Sequence, residues 1–417
     1  MHAATIRLAL LFSTALIAIA GCGPPDPDRQ AQHREIVRPA EQLRAGNVVL
    51  GGPSLTAGIS GSGPLTPDQA RAWLADERNH EELQWTMPLG LEDFAPLAEI
   101  PEDNPLTRAK IELGRQLYYD VRLSRPESFA CGDCHLSEVF SSALVMPEIR
   151  RSVSVGFNRM FSTEQFWMGQ SPSLETQAIV PISDPFEMDS SPETATRKVA
   201  EHEAYQLQFE KIFGEVTFDN ICYAMACFQR VIIANASPWD YYRHIRTLEE
   251  RGASLTDDER QRLAALRDLA AQNPLSDEAR RGEELFFSDR LRCGDCHSGP
   301  NLTDEQYYNL GVGQEFPETD LHHEGRYRIT KDIDDYGAFK TPTLRNIAHS
   351  APYMHNGDFD TLEDAVDFVL AGGYRTEHLS ELMSPVRLDS VEKIELLAFL
   401  RSLSSPVTPV EKERLPE

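Results

Sequence analysis

The chain has 417 residues, and its 66 acidic and 40 basic residues give a formal net charge of −26 at pH 7. This charge argues against a nucleic-acid-binding protein and against electrostatic attachment to anionic lipid. The length is sufficient for two domains of ordinary size, each with its own hydrophobic core.

The N-terminal segment has the pattern of an export signal. A short basic start is followed by an apolar stretch, 8–20, that is too short to span a bilayer as a helix. The sequence that ends at Cys22 is similar to a bacterial lipobox, in which the cysteine is lipidated and becomes the mature N-terminus. We therefore expect a lipoprotein signal peptide over 1–21 and a periplasmic protein that contacts the membrane only through its lipid. Gly23 favours the outer membrane of a Gram-negative bacterium, and an ordinary signal peptide is the alternative.

The next segment predicts a tether. Residues 22–66 are rich in Gly, Pro and Ser and have no periodic apolar pattern. Thr66 and Pro67 then have the pattern of an N-cap and a first helical residue. We assign 22–100 to this flexible tether and a short helix.

Two C-x-x-C-H sequences are the most specific feature of the chain. Two thiols three positions apart can add to the two vinyl groups of one porphyrin, and the adjacent imidazole can then bind the iron. A pair of zinc or redox sites is the alternative, but it does not explain why both sequences end in histidine. We therefore predict two covalently bound c-type haems. The first motif comprises Cys131, Cys134 and His135, and the second comprises Cys293, Cys296 and His297.

An internal repeat precedes the two motifs. Gly114–Leu123 and Gly282–Leu291 share a glycine, a leucine, two adjacent aromatic residues, an arginine and a final leucine at an offset of 168 residues. A helix that ends at a haem-binding loop is therefore expected twice. This predicts a mainly α protein with two cytochrome c-like domains in tandem, over 101–245 and 246–417. Further helices are predicted from apolar spacing over 192–213, 218–234, 255–272, 276–287, 362–371 and 390–403.

The order of short motifs along 101–404 resembles that of the bacterial dihaem cytochrome c peroxidase and MauG superfamily. The resemblance implies that the haem on His135 reacts with peroxide and that the haem on His297 stores or relays electrons. Besides the haem motifs, it is carried by Asn104–Gly114, Gln165–Gly169, Leu174–Pro181, Phe186–Met188, Thr341–Asn346, Ala351–Gly357 and Leu397–Leu403.

The resemblance also assigns roles to three residues near the first haem. In the family a glutamine and, ten residues later, a glutamate line the distal face, and Gln177 and Glu187 match that spacing. A carboxyl group near the iron can move a proton between the oxygens of peroxide, and the amide can orient it. Considered without the family, Glu187 is only one acid in an acidic loop. Trp167 matches the family's aromatic residue between the haems and would relay an electron hole, with a buried core tryptophan as the alternative.

The family also binds calcium between its domains, through an asparagine side chain and backbone carbonyls. The corresponding carbonyls here are those of Ser350 and Pro352. Asn158 is the side-chain candidate, although the spacing around it differs from the family pattern. We therefore expect one calcium ion, held by oxygen ligands.

The chain departs from the family around the first haem. A removable distal histidine often lies sixteen residues after the first haem histidine, and this position is Arg151. We therefore expect a five-coordinate iron at the first haem, with Met146 and Met160 as the alternative ligands. The loop 136–164 also lacks the usual Arg-Asn-x-Pro run.

The second haem has a departure of its own. The family places a methionine or tyrosine ligand fourteen residues after the histidine of the Pro-Tyr-x-His motif, and this chain has Val369 there. Valine cannot bind iron. Tyr374, Met383 and an open site remain as alternatives.

The leading hypothesis is a cytochrome-c peroxidase-type oxidoreductase. It would reduce hydrogen peroxide with electrons from a small c-type cytochrome or cupredoxin. One alternative is a MauG-like enzyme that oxidises Trp or Tyr residues of a partner protein. A second alternative is an electron-carrying cytochrome, which the pair Gln177 and Glu187 argues against. The oligomeric state stays open, with a homodimer among the options.

In the oxidised holoprotein, the first haem should give a high-spin ferric signal, because an arginine replaces the family's distal histidine. Electron paramagnetic resonance of the protein as isolated measures this. Spectra of two low-spin, six-coordinate haems would contradict the prediction.

Overall fold

The computed structural model describes residues 47–135, 145–146, 151–313 and 323–417. The predicted signal peptide, Cys22 and the first part of the predicted tether lie outside these residues. Among the described residues, no helix is long and apolar enough to cross a membrane.

The described fold is mainly α-helical, as predicted. Most of the long helices begin after a Ser, Thr or Asp whose side chain accepts a hydrogen bond from the first turn. The predicted helix 192–213 is broken at His202, where a second helix begins. The helices are α1 (Pro67–Leu74), α2 (Arg108–Tyr118), α3 (Cys131–Cys134), α4 (Leu174–Gln177), α5 (Ile179–Ser183), α6 (Pro192–Ala200), α7 (Glu203–Phe213), α8 (Phe218–Arg230), α9 (Pro238–Arg251), α10 (Asp257–Gln272), α11 (Asp277–Phe286), α12 (Tyr327–Thr330), α13 (Leu362–Leu370) and α14 (Ser390–Ser402).

The strands of the described residues form only short two-stranded pairs. β1 (Asn47–Val49) lies parallel to β2 (Gln84–Thr86). β3 (Val145–Met146) is antiparallel to β4 (Arg151–Ser152). β5 (Tyr307–Tyr308) is antiparallel to β6 (Phe339–Lys340), with Tyr307 opposite Lys340.

A glycine-mediated helix crossing occurs in each half of the chain. α2 packs on α8, and a Cβ atom on Gly114 would overlap the carbonyl group of Ala224. α11 packs on α14, and a Cβ atom on Gly282 would overlap the carbonyl group of Glu395. The first residue of the sequence repeat is therefore glycine because the two helix backbones touch there.

The second aromatic residue of the repeat also has the same place in both halves. Tyr119 packs on Gly132 and Phe287 packs on Gly294, each the first residue after a haem-motif cysteine. Because Cβ atoms would not fit beneath these rings, the repeat fixes the path of both C-x-x-C-H segments.

Two separate hydrophobic cores lie behind these crossings. The first contains Leu113 and Phe228, and the second contains Phe286 and Phe399. Trp239, at the start of α9, already belongs to the second core. The predicted boundary between 245 and 246 therefore falls inside a helix. Many residues of α9 are charged, so apolar spacing did not predict a helix between the two that were expected on either side.

The described part of the predicted tether is packed rather than free, which corrects the assignment of 47–66 to a flexible segment. Leu50 and Leu65 are fully buried, and the backbone N–H of Leu65 donates to the carbonyl of Leu415 at 2.7 Å. The Arg414 guanidinium donates to several backbone carbonyls in 59–64. The residues that pack on this segment are more than 300 positions away in the chain. Such contacts produce no periodic pattern within the segment, so its sequence did not predict the packing.

Replacing Gly282 by alanine should lower the free energy of unfolding by about 1–3 kcal/mol, because the added methyl group forces α11 away from α14. Thermal or denaturant unfolding of the holoprotein measures the change. Glu284→Ala, an exposed position on the same helix, is the control and should change the stability by less than about 0.5 kcal/mol. Equal stability of the Gly282 variant and the wild type would contradict the crossing.

Candidate active site

The first haem motif lies in the wall of a large cavity. The cavity has a volume of about 730 Å³ and is lined by Cys131, Cys134 and His135. Both cysteines are free thiols. The volume lies within the usual range for small-molecule and cofactor sites. Two thiols and an imidazole that face one cavity of this size fit a covalently attached haem, with His135 as the iron ligand.

The second haem motif is held by a hydrogen bond that suits iron binding. His297 Nδ1 lies 3.0 Å from the carbonyl oxygen of Leu302. Because a carbonyl only accepts, Nδ1 carries the proton, and Nε2 keeps its lone pair for a metal. Cys293 and Cys296 are free thiols. These residues fit a second haem with His297 as its ligand.

Glu187 and Gln177 line the same cavity as the first haem motif. Burial, together with the negative charge of Asp184, raises the pKa of Glu187 to about 7. A carboxyl with a pKa near neutrality can both accept and return a proton at physiological pH. The structure therefore brings together the two residues that the sequence assigned to the distal face.

A buried ion pair fixes the helix that carries Gln177. Glu175 in α4 accepts two hydrogen bonds from Arg230, at 2.6 and 2.9 Å, and a third from Asn104 at 2.8 Å. Gln177 itself accepts a hydrogen bond from Gln229 at 3.1 Å. Because removing one partner would leave a buried charge unpaired, α4 has little freedom to move. Sequence analysis included Glu175 and Asn104 in the family motifs but gave them no role.

Trp167 connects the two halves of the chain. Trp167 lines the first cavity, and its indole N–H donates to the carbonyl of Ser152 at 3.0 Å. Its own carbonyl accepts from the backbone N–H of Lys340, in β6, at 2.8 Å. Trp167 is therefore a wall residue of the first site that is bonded directly to the second half.

The residues considered as distal ligands of the first haem lie in different places. Arg151 is buried in the cavity wall, with its guanidinium 3.7 Å from the sulfur of Met168 and stacked over Phe339. Met160 is fully buried in the first hydrophobic core and is not among the cavity residues. The side chain of Met146 lies outside the described residues.

The candidate ligands of the second haem lie around the end of α13. Val369 is 38% exposed on this helix. The ring of Tyr374 packs 4.8 Å from that of Phe368 and is 42% exposed. The methyl group of Met383 packs against Gly373. The assignment of a second iron ligand stays a prediction.

The side-chain oxygen of Asn158 has a hydrogen-bond partner in the backbone. It accepts a hydrogen bond from the backbone N–H of Ala234, while the amide nitrogen donates to Asn301. The carbonyl of Pro352 lies 3.5 Å from the hydroxyl of Ser152 instead. Calcium binding by Asn158 and by the carbonyls of Ser350 and Pro352 stays a prediction.

Sequence analysis also missed a wall of the first cavity that comes from the second half. Arg328 and Ile329, both in α12, line this cavity, as do Met188 and Met225 from the first half. No sequence motif marks Arg328 and Ile329, because they meet the haem loop only through the packing of the two halves.

Comparison with known proteins agrees with this geometry. A family model described as di-haem cytochrome c peroxidase matches residues 108–247. Cytochrome c551 peroxidase of Nitrosomonas europaea is 30% identical over 318 residues, which cover 74% of this chain and 84% of that protein. The methylamine utilization protein MauG of Methylorubrum extorquens is 29% identical over 380 residues, which cover 88% of this chain and 96% of that protein.

A solved structure is similar as well. A MauG-like protein associated with microbial copper homeostasis superposes with a TM-score of 0.62 and 28% identity, covering 75% of this chain and 94% of that one. Its helical fold extends over most of the described residues.

Proposed function

The chain belongs to the family of dihaem cytochrome c peroxidases and MauG proteins, and we propose that it reduces hydrogen peroxide to water at the first haem site. Family membership makes it a haem oxidoreductase with two c-type haems. The position of Glu187, in the cavity wall that also carries Cys131, Cys134 and His135, is the observation that supports peroxide reduction.

The protein's own contribution to this reaction is proton movement and positioning. A bound haem supplies the iron that binds peroxide and the electrons that break its O–O bond. Glu187, as a carboxylate, would take a proton from one oxygen of the peroxide and return it to the other, which leaves as water. The amide of Gln177, fixed through Gln229, orients the peroxide. Each turnover consumes two electrons and two protons and yields two waters.

The electrons would arrive through the second haem site, on His297. Trp167 supports this route, because it is bonded to both halves of the chain. A small c-type cytochrome or cupredoxin in the periplasm would be the donor, and lipid at Cys22 would hold the enzyme at the outer membrane. A calcium ion near Ser350 and Pro352 is part of the same proposal.

Glu187→Gln should lower the second-order rate of peroxide reaction by about 10²–10⁴-fold, because glutamine cannot accept and return a proton. In the wild type, the rate should rise with pH through about 7, the pKa at which Glu187 ionises. The variant should lose this pH dependence. Stopped-flow absorbance of the holoprotein between pH 5 and 9 measures both effects.

Asp189→Asn is the matched control, since it removes one negative charge from the same loop at a residue that pairs with Arg125. It should keep both the rate and the pH profile. An unchanged rate in the Glu187 variant, with both haems retained, would remove Glu187 from the mechanism.

Oxidation of another protein is the competing function, supported by the 29% identity to MauG over 96% of that protein's length. We expect rapid oxidation of reduced cytochrome c when peroxide is added to the holoenzyme. Absorbance of the donor follows the reaction. Slow donor oxidation with a long-lived oxidised enzyme would instead favour the MauG-like function.

A further inference from the structure

The hydroxyl and the ring of Tyr307 each contact a charged side chain, and one of these side chains can accept the phenol proton. Its hydroxyl donates to Glu164 at 2.6 Å. Arg326 holds the same carboxylate at 2.9 and 3.3 Å, and its guanidinium lies 3.8 Å from the centre of the Tyr307 ring. Burial and the carboxylate together keep the pKa of Tyr307 well above its usual range.

Tyr308 has a similar arrangement on the opposite face of β5. Its hydroxyl donates to Asp304 at 2.7 Å and lies beside Cys296, a cysteine of the second haem motif. Burial and Asp304 raise the pKa of Tyr308 too. The two adjacent phenols therefore each have a carboxylate of their own.

The strand places the two rings between the first and second haem sites. Successive side chains of a strand point to opposite faces. Tyr308 faces Cys296, while the Tyr307 hydroxyl packs against Gly169, two residues after Trp167. Tyr307 also pairs across the strands with Lys340, whose backbone N–H donates to Trp167.

We propose that Tyr307 and Tyr308 form an oxidisable pair between Trp167 and the second haem site. One phenol of the pair loses one electron to the peroxide-oxidised first site, by way of Trp167, and passes its proton to its own carboxylate, Glu164 or Asp304. An electron from the second haem then restores the phenol, and the proton returns. The pair rests on the proposed peroxide chemistry and adds a store for one oxidising equivalent.

The carboxylates are what make this oxidation feasible. A phenol that loses an electron but keeps its proton becomes a cation, and burying an unpaired charge is costly. The positive charge of Arg326 over the Tyr307 ring would raise this cost further. Proton transfer over 2.6 Å to Glu164 avoids the cation, because the product is a neutral radical.

A polar pocket of about 390 Å³ opens onto both rings. Its walls include Glu164, Glu305, Arg326 and Asp335. Solvent therefore reaches the pair, and protons can be exchanged with bulk water between turnovers.

The test is electron paramagnetic resonance of the holoprotein, frozen at intervals after peroxide is added without an electron donor. The wild type should form a tyrosyl radical. The double variant Tyr307→Phe/Tyr308→Phe should retain both haems, and its tyrosyl signal should be at least tenfold weaker than that of the wild type. The single variant Tyr307→Phe removes the radical signal of Tyr307. Glu164→Gln should weaken this same signal, because glutamine is a poorer proton acceptor than a carboxylate.

Tyr223→Phe is the matched control, since Tyr223 also donates to a carboxylate, Asp103, at 3.3 Å but lies on α8. It should keep the full signal. A tyrosyl signal that persists in the double variant would overturn the proposal. Peroxide consumption by the wild type without any tyrosyl radical would overturn the pair alone, whereas failure to consume peroxide would also overturn the proposed function.

Discussion

Direct contact between helix backbones at two glycines is the constraint on which the rest of the structure depends. Gly114 lets α2 touch α8, and Gly282 lets α11 touch α14. Each crossing fixes the direction in which its helix ends, and the aromatic residues that follow then pack on the glycine of the adjoining haem motif. Because a cysteine pair must meet two fixed points on one porphyrin, a small rotation of either helix would move the thiols away from them. The tight crossing is therefore a requirement of the covalent cofactor as much as of the fold.

Several contacts between the two halves are polar and hydrogen-bonded, in contrast to the apolar cores behind them. Lys340 donates to the carbonyl of Glu164 and pairs with Glu305, and Arg326 pairs with Glu164. Burial lowers the pKa of Lys340 to about 8, so this ammonium depends on its partners to stay charged. Directional bonds of this kind hold two rigid units in one register, which the proposed electron transfer between the two sites would need. The same charges surround the two tyrosines, so the interface that aligns the sites also supplies proton acceptors.

Much of the site was predictable because its chemistry is local in sequence. The haem motifs, the repeat and the ten-residue spacing between Gln177 and Glu187 each lie within a short segment, and the structure brings Gln177, Glu187 and the first motif to one cavity. The features that were missed depend on distant partners. The packing of 47–66 depends on bonds from Arg414, and Arg328 reaches the first cavity from the other half of the chain.

The C-terminal tail has a consequence for how the molecule is assembled. Val407 is buried in the first core, and the buried Arg115 guanidinium donates to the carbonyls of Glu411 and Arg414. The first half therefore cannot complete its core until residues 407–414 have been synthesised and have folded back across it.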